Sequence, residues 1–196
     1  MAISTSPTTE IEAVNTMLMA IGESPVNSLG SGLPDAEIAE RILSETNRAV
    51  QSLGWNFNTE LKWSLVPDIE GSLYLPQNCL NVDDRELVRH GDYDYVLRGQ
   101  RLYDRINHTY AIGKAVEVDM IALLDFLELP EAARSYITIR SARLFQDRVL
   151  GSTDIHTFVE RDEEVARRRL NSFKYRNGDY NMKNNSTVFN MLDRRL

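Results

Sequence analysis

Apolar residues recur every three to four positions through most of this chain and every second position only in its middle, which predicts helices at both ends around a β region. The first helix is marked by Ile11, Val14, Met17, Leu18 and Ile21, with Thr9-x-x-Glu12 as a capping box at its start and Gly22 at its end. The stretch GESPVNSLGSGLPD that follows is rich in turn formers and reads as an ordered loop. Pro34 then opens a second helix. One of its faces carries Ala39, Ile42, Leu43, Thr46, Ala49, Val50 and Leu53, the other mostly Glu37, Glu40, Arg41, Glu45, Arg48 and Gln51, and Gly54 stops it.

The period changes at Trp55. Trp55 and Phe57, then Leu61, Trp63 and Leu65, are spaced by two as in strands. SLYLP, NVDD and ELVRH read as short strands or extended loops, and DYVLRGQRLYD as a hairpin turning at Gly99-Gln100. KAVEVDMI is the clearest strand, with Val116, Val118 and Met120 alternating against Glu117 and Asp119. ALLDFLELP leads back to helical spacing.

The next helix, LPEAARSYITIRSARLFQDRVLGS at 129–152, is opened by Pro130 and closed by Gly151. Leu129, Ala133, Tyr136, Ile137 and Leu144 form one apolar stripe, and Ala142, Phe145 and Val149 a second on roughly the opposite side. Arg134, Arg140, Arg143 and Arg148 lie between them. Such a helix is covered on more than one side, either by its own chain with the arginines snorkelling outward or by neighbouring subunits. A last helix, capped by Ser152-Thr153-Asp154 and running to about Tyr175, carries Ile155, Phe158, Val159, Val165, Ala166, Leu170 and Phe173 on one stripe. Beyond Arg176 an Asn-rich spacer ends in Val188, Phe189, Met191 and Leu192, as an arm that orders on a partner does.

The expected architecture is α+β: a helical bundle built from the N- and C-terminal parts, with an inserted antiparallel β module. The divisions are a helical part at 1–54, a β domain at 55–124, the returning helical part at 125–176 and an extended arm at 177–196. No apolar run approaches the ~20 residues needed to span a bilayer. The N-terminus has neither the basic start nor the apolar core of a secretion signal, so synthesis and use without export by that route are expected.

A net charge of −7 disfavours a protein that grips nucleic acid through clustered Lys and Arg, and with it a DNA-binding regulator. The single Cys79 excludes an internal disulfide and reads as a buried, inert thiol. His90, His108 and His156 lack metal-site spacing, and no nucleotide loop, nucleophile elbow or HExxH is present, so no cofactor, metal or catalytic set is expected. The enzymatic alternative rests on Asp83, Asp84, Glu86, Asp92, Asp94 and Asp104, from which glycan hydrolysis would need two carboxyl groups about 5–9.5 Å apart. Tyr74, Tyr93, Tyr95 and Tyr103 would offer the sugar-stacking surfaces, or else these are hairpin acids and edge tyrosines.

AVNTMLMAIGESPVNSL at 13–29, RILSETNRAVQSLGWNFNTE at 41–60, LYDR at 102–105 and the helix at 129–152 together resemble the tail tubular protein A family of short-tailed bacteriophages (podoviruses). The resemblance implies a structural protein of the virion tail. It would be made in the host cytoplasm and placed at the head–tail junction as a dodecameric adaptor, or gatekeeper, ring. Its implied partners are the portal protein above, the nozzle of tail tubular protein B below and a tail fibre protein nearby. Double-stranded DNA would pass through the ring during ejection without sequence-specific binding. The alternative is a tail-associated capsule or peptidoglycan hydrolase using the β-region carboxylates. In a ring each contact joins two different faces, which would give a two-sided helix its purpose. The expected subunit interface is then Arg134, Tyr136, Ile137, Arg140, Arg143, Leu144, Phe145 and Arg148, with the arginines reaching carboxylates of the second and last helices across the boundary. The docking arm is Val188, Phe189, Met191 and Leu192.

Overall fold

The computed structural model describes residues 6–83, 94–150 and 161–173, and these adopt an α+β fold. The chain divides into two compact units, one of Met1–Asn47 with Asp125–Leu196 and one of Arg48–Leu124.

The first unit is helical. Helix α1 (Glu10–Ala20) begins with the expected capping box: the Thr9 hydroxyl accepts from Glu12 N–H at 3.3 Å, and the Glu12 carboxylate accepts from Thr9 N–H at 2.8 Å. Ala13, Val14, Met17 and Leu18 make its buried face. Helix α2 (Pro34–Gln51) contributes Ala36, Ala39, Ile42 and Leu43 to the core of this unit. After a short 3₁₀ turn (Phe126–Glu128), helix α3 (Glu131–Leu150) runs alongside α1 in the same direction. Thr8 donates its N–H and hydroxyl to the Glu131 carboxylate at 2.9 and 2.6 Å at one end, and Gln146 Nε2 donates to the Ala20 carbonyl at 3.4 Å at the other. Residues 161–173 form a further helix, α4, whose Ala166 and Leu170, four apart, are buried.

The second unit is a three-stranded antiparallel sheet with a separate hairpin. Strand β5 (Val116–Ala122) lies between β1 (Thr59–Leu65) and β2 (Cys79–Asp83). It is central because its alternating Val118 and Met120 enter a core with Leu65, Leu73, Leu75, Val82 and Leu102. Strands β3 (Tyr95–Arg98) and β4 (Arg101–Asp104) form the hairpin, turning at Gly99-Gln100 with Gly99 at φ +63°. It is fastened to the preceding segment by Leu102 N–H to Leu73 O at 3.1 Å and Leu75 N–H to Gln100 O at 2.9 Å.

Several local expectations change. Trp55 and Phe57 are not in a strand. Asn58, wholly buried, takes Trp55 N–H on Oδ1 at 2.8 Å and donates from Nδ2 to Gln51 O and Ala122 O, both at 2.9 Å, so 55–58 becomes a turn. Helix α2 ends at Gln51 instead of Leu53, and Gly54 adopts φ +70° where an added Cβ would lie 2.8 Å from Ile121 Cδ1. In β1 the spacing by two does not make a continuous buried face: Leu65 is buried, but Leu61 and Trp63 are 64% and 42% exposed. The register shifts between Glu60 and Trp63, with Lys62 at φ +53° and its N–H held by Asp119 Oδ1 at 2.8 Å, so the alternation cannot continue through the bulge. SLYLP contributes only an isolated bridge, Tyr74 to Arg101. ELVRH, the Ser152-Thr153-Asp154 cap and the arm at 177–196 lie outside the described residues.

Candidate functional site

Helix α3 is the candidate assembly element, and its side chains fall into two groups. Tyr136, Ile137 and Phe145 are 3%, 0% and 0% exposed within the helical unit, while Leu144 is half-buried. The four arginines are all engaged within the chain. Arg134 donates from Nε to Leu129 O at 2.7 Å, from Nη1 to Thr8 O at 3.0 Å and from Nη2 to Leu127 O, which fixes the entry into α3. Arg140 reaches Tyr136 Oη at 3.0 Å and Glu163 at 2.9 Å; Arg143 meets Glu163 and, at 3.2 Å, Asp147. Arg148 pairs with Glu45 of α2 at 3.2 Å.

The carboxylates of α2 and α4 thus meet the α3 arginines inside one chain, where a subunit boundary had been expected. The reason is geometric. Helix α1 runs along α3, and Glu163 of α4 stands between Arg140 and Arg143. Arg148 then Arg41 donate to the Glu45 side chain and hold its carboxyl below the usual range. What α3 leaves outward is its C-terminal end, with Arg148 and Val149 exposed.

Of the six candidate acids of the β region, the described side chains are Asp94 and Asp104, and each is engaged by groups beside it. Burial raises the Asp104 pKa, but donation from the Asn107 side chain and from the Asn107 and Ile106 N–H groups outweighs it and keeps the carboxyl below its ordinary value. Asp104 is therefore the lock of the turn that follows β4. Asp94 is paired to Arg105 at 2.7 Å. Asp84, Glu86 and Asp92, and the side chain of Asp83, lie outside the described residues. Cys79 is half-buried, its thiol pushed up in pKa by burial and kept protonated. The described residues hold no group of three or more His, Cys, Asp or Glu placed to bind a metal, and no described helix is long and apolar enough to cross a membrane.

The hairpin carries a surface that spacing alone did not reveal. Arg98 and Arg101 face each other across β3 and β4 as a directly opposed pair. The Arg98 guanidinium lies 3.7 Å over the Tyr103 ring, and that of Arg101 lies 4.3 Å over Tyr110 and 5.8 Å from Tyr74. Tyr103 and Tyr110 pack edge to face at 4.9 Å. Of the tyrosines expected as a sugar platform, Tyr95 is 7% exposed, Tyr93 is outside the described residues, and Tyr74 and Tyr103 serve the arginines. The available signal was the pair of arginines flanking the Gly99-Gln100 turn, which places them opposite each other in any two-residue hairpin. Tyr110 has no such signal, since it arrives from a loop.

A family model described as tail tubular protein matches residues 11–180. Tail tubular protein A of Klebsiella phage KP34 is 27% identical to the chain over 155 residues, covering 79% of this chain and 81% of that protein.

Proposed function

Because the chain belongs to the tail tubular protein family, whose members are structural components of the phage tail, we propose that it builds the dodecameric adaptor ring at the head–tail junction. In this reading the portal protein sits above the ring, the nozzle of tail tubular protein B below it, and a tail fibre protein docks close by. The family match across 11–180 carries the proposal, because it runs through both the helical unit and the β unit.

The physical character of the chain supports it. A conduit for DNA works best when its wall does not hold phosphate, and a subunit of net charge −7 repeated around a ring gives an anionic assembly. Double-stranded DNA then passes without sequence-specific contact. The eight α3 residues remain the proposed interface helix in a modified sense: Tyr136, Ile137 and Phe145 stiffen it from within, and its exposed C-terminal end, with Arg148, meets the neighbour. Val188, Phe189, Met191 and Leu192 are proposed to dock on an adjoining tail component.

Depletion tests the role. Phage grown without this chain should yield filled heads that lack a nozzle, and adding the purified chain should restore it; normal tails in its absence would overturn the proposal. Deleting 177–196 should block that restoration, and an unchanged yield would remove the arm from it.

A further inference from the structure

Arg98 and Arg101 stand directly opposite each other in the β3–β4 hairpin. Like charges directly opposite each other in a hairpin are destabilising, and neither guanidinium has a carboxylate within ion-pair distance among the described residues. By contrast Arg41, Arg105, Arg140, Arg143, Arg148 and Arg168 are all paired to acids. Each hairpin guanidinium is backed by a tyrosine ring, which holds the plane still and leaves its N–H edge free to grip a carboxylate by two parallel hydrogen bonds. Arg and Tyr are also the residues that dominate binding energy at protein interfaces. An aromatic-backed cationic surface with no carboxylate partner among the described residues, on an acidic protein, has the chemistry to receive an anion.

The same chain carries a complementary surface. At the start of α2, the carboxylates of Asp35 and Glu37 make no hydrogen bond or ion pair among the described residues, and Glu37 is exposed. Leu33 and Ile38, close by in sequence, are 54% and 44% exposed, and Leu29 in the preceding loop is 41% exposed. Carboxylates close in sequence to exposed aliphatic residues match guanidinium edges set among tyrosine rings, in charge and in apolar area alike. One surface lies in the β unit and the other in the helical unit, so a contact between copies would join two different faces, as each boundary of a ring does.

We propose that the Arg98–Arg101 hairpin of one copy docks on the Asp35–Glu37 end of α2 in the next copy, as a second contact around the circle. The inference rests on the ring reading above and names a surface within it. Lattice-free charge complementarity selects a second copy as the occupant, since both halves are present in one sequence.

A covalent trap tests it. In a Cys79→Ser background, which removes the one native thiol, Arg98→Cys and Glu37→Cys are introduced together and the phage is grown on the variant. Treating purified particles with a short bismaleimide should give a ladder of covalent multimers of this chain. A band at monomer size alone, in particles whose rings are visible by electron microscopy, overturns the inference and leaves the ring reading intact. Particles carrying the natural chain that show no ring at all overturn the ring reading itself, and the inference with it. Independently, Arg98→Glu with Arg101→Glu should lower incorporation at least about tenfold, and adding Asp35→Arg with Glu37→Arg to the same chain should restore it. Failure of that rescue, with both variants folded by circular dichroism, also counts against the contact.

Discussion

Asn58 ties three segments of the β unit together. Its side chain satisfies Trp55 N–H and the carbonyls of Gln51 and Ala122 while being 0% exposed. Truncation takes from Trp55 N–H and the Ala122 carbonyl the side-chain partner seen here, while the Gln51 carbonyl keeps Gly54 N–H at 3.1 Å, so Asn58→Ala should lower unfolding stability by about 2–3 kcal/mol in urea titration, against under about 0.5 kcal/mol for an exposed position such as Ser52→Ala. Asp104 gives a pH-dependent counterpart. A carboxyl whose folded pKa lies below its unfolded value adds stability that is complete at neutral pH and is lost as pH falls through the folded pKa. Asp104→Asn should therefore be less stable than the natural chain at pH 7, with the difference shrinking below about pH 4 in pH-dependent thermal melts. Neither role was legible beforehand. An Asn three residues past a tryptophan and an Asp ending a strand look alike whether they bind or brace, because only the fold shows which backbone groups they reach.

At the scale of elements, patterning works where one face meets one core. The capping box of α1, the Pro34 start of α2, the Gly99-Gln100 turn and the alternation of β5 all follow from the sequence, since each is a local effect of side chain on backbone. Strand β1 defeats the same reasoning: its bulge at Lys62 breaks the two-residue period, and Leu61 faces solvent. Leu61→Ser should accordingly change stability by less than about 0.5 kcal/mol. Leu73→Ala, a residue 0% exposed in the core beneath that sheet, should cost about 2–5 kcal/mol in the same assay. Helix α4 is held to α3 by Glu163 between Arg140 and Arg143, with the Glu163 side chain 12% exposed. Glu163→Ala leaves Arg143 at 19% exposure without its closest acid, so a loss of about 1–3 kcal/mol and faster amide exchange through 161–173 are expected.

At the scale of the whole molecule, the change of period along the sequence announced the α+β class, and the family match runs through both compact units. The assembly surface was legible only in outline. The two stripes of α3 announced a helix covered on several sides, but a stripe does not say whose side chains cover it, and here α1 and α4 of the same chain supply much of that cover. The measurement that bears most directly on the account is a density map of the intact virion reconstructed at the head–tail junction. The account predicts twelve copies of this chain in one closed ring between portal and nozzle, with the DNA path through its centre. A junction built without this chain, or an arrangement of it that does not close around that path, would contradict it.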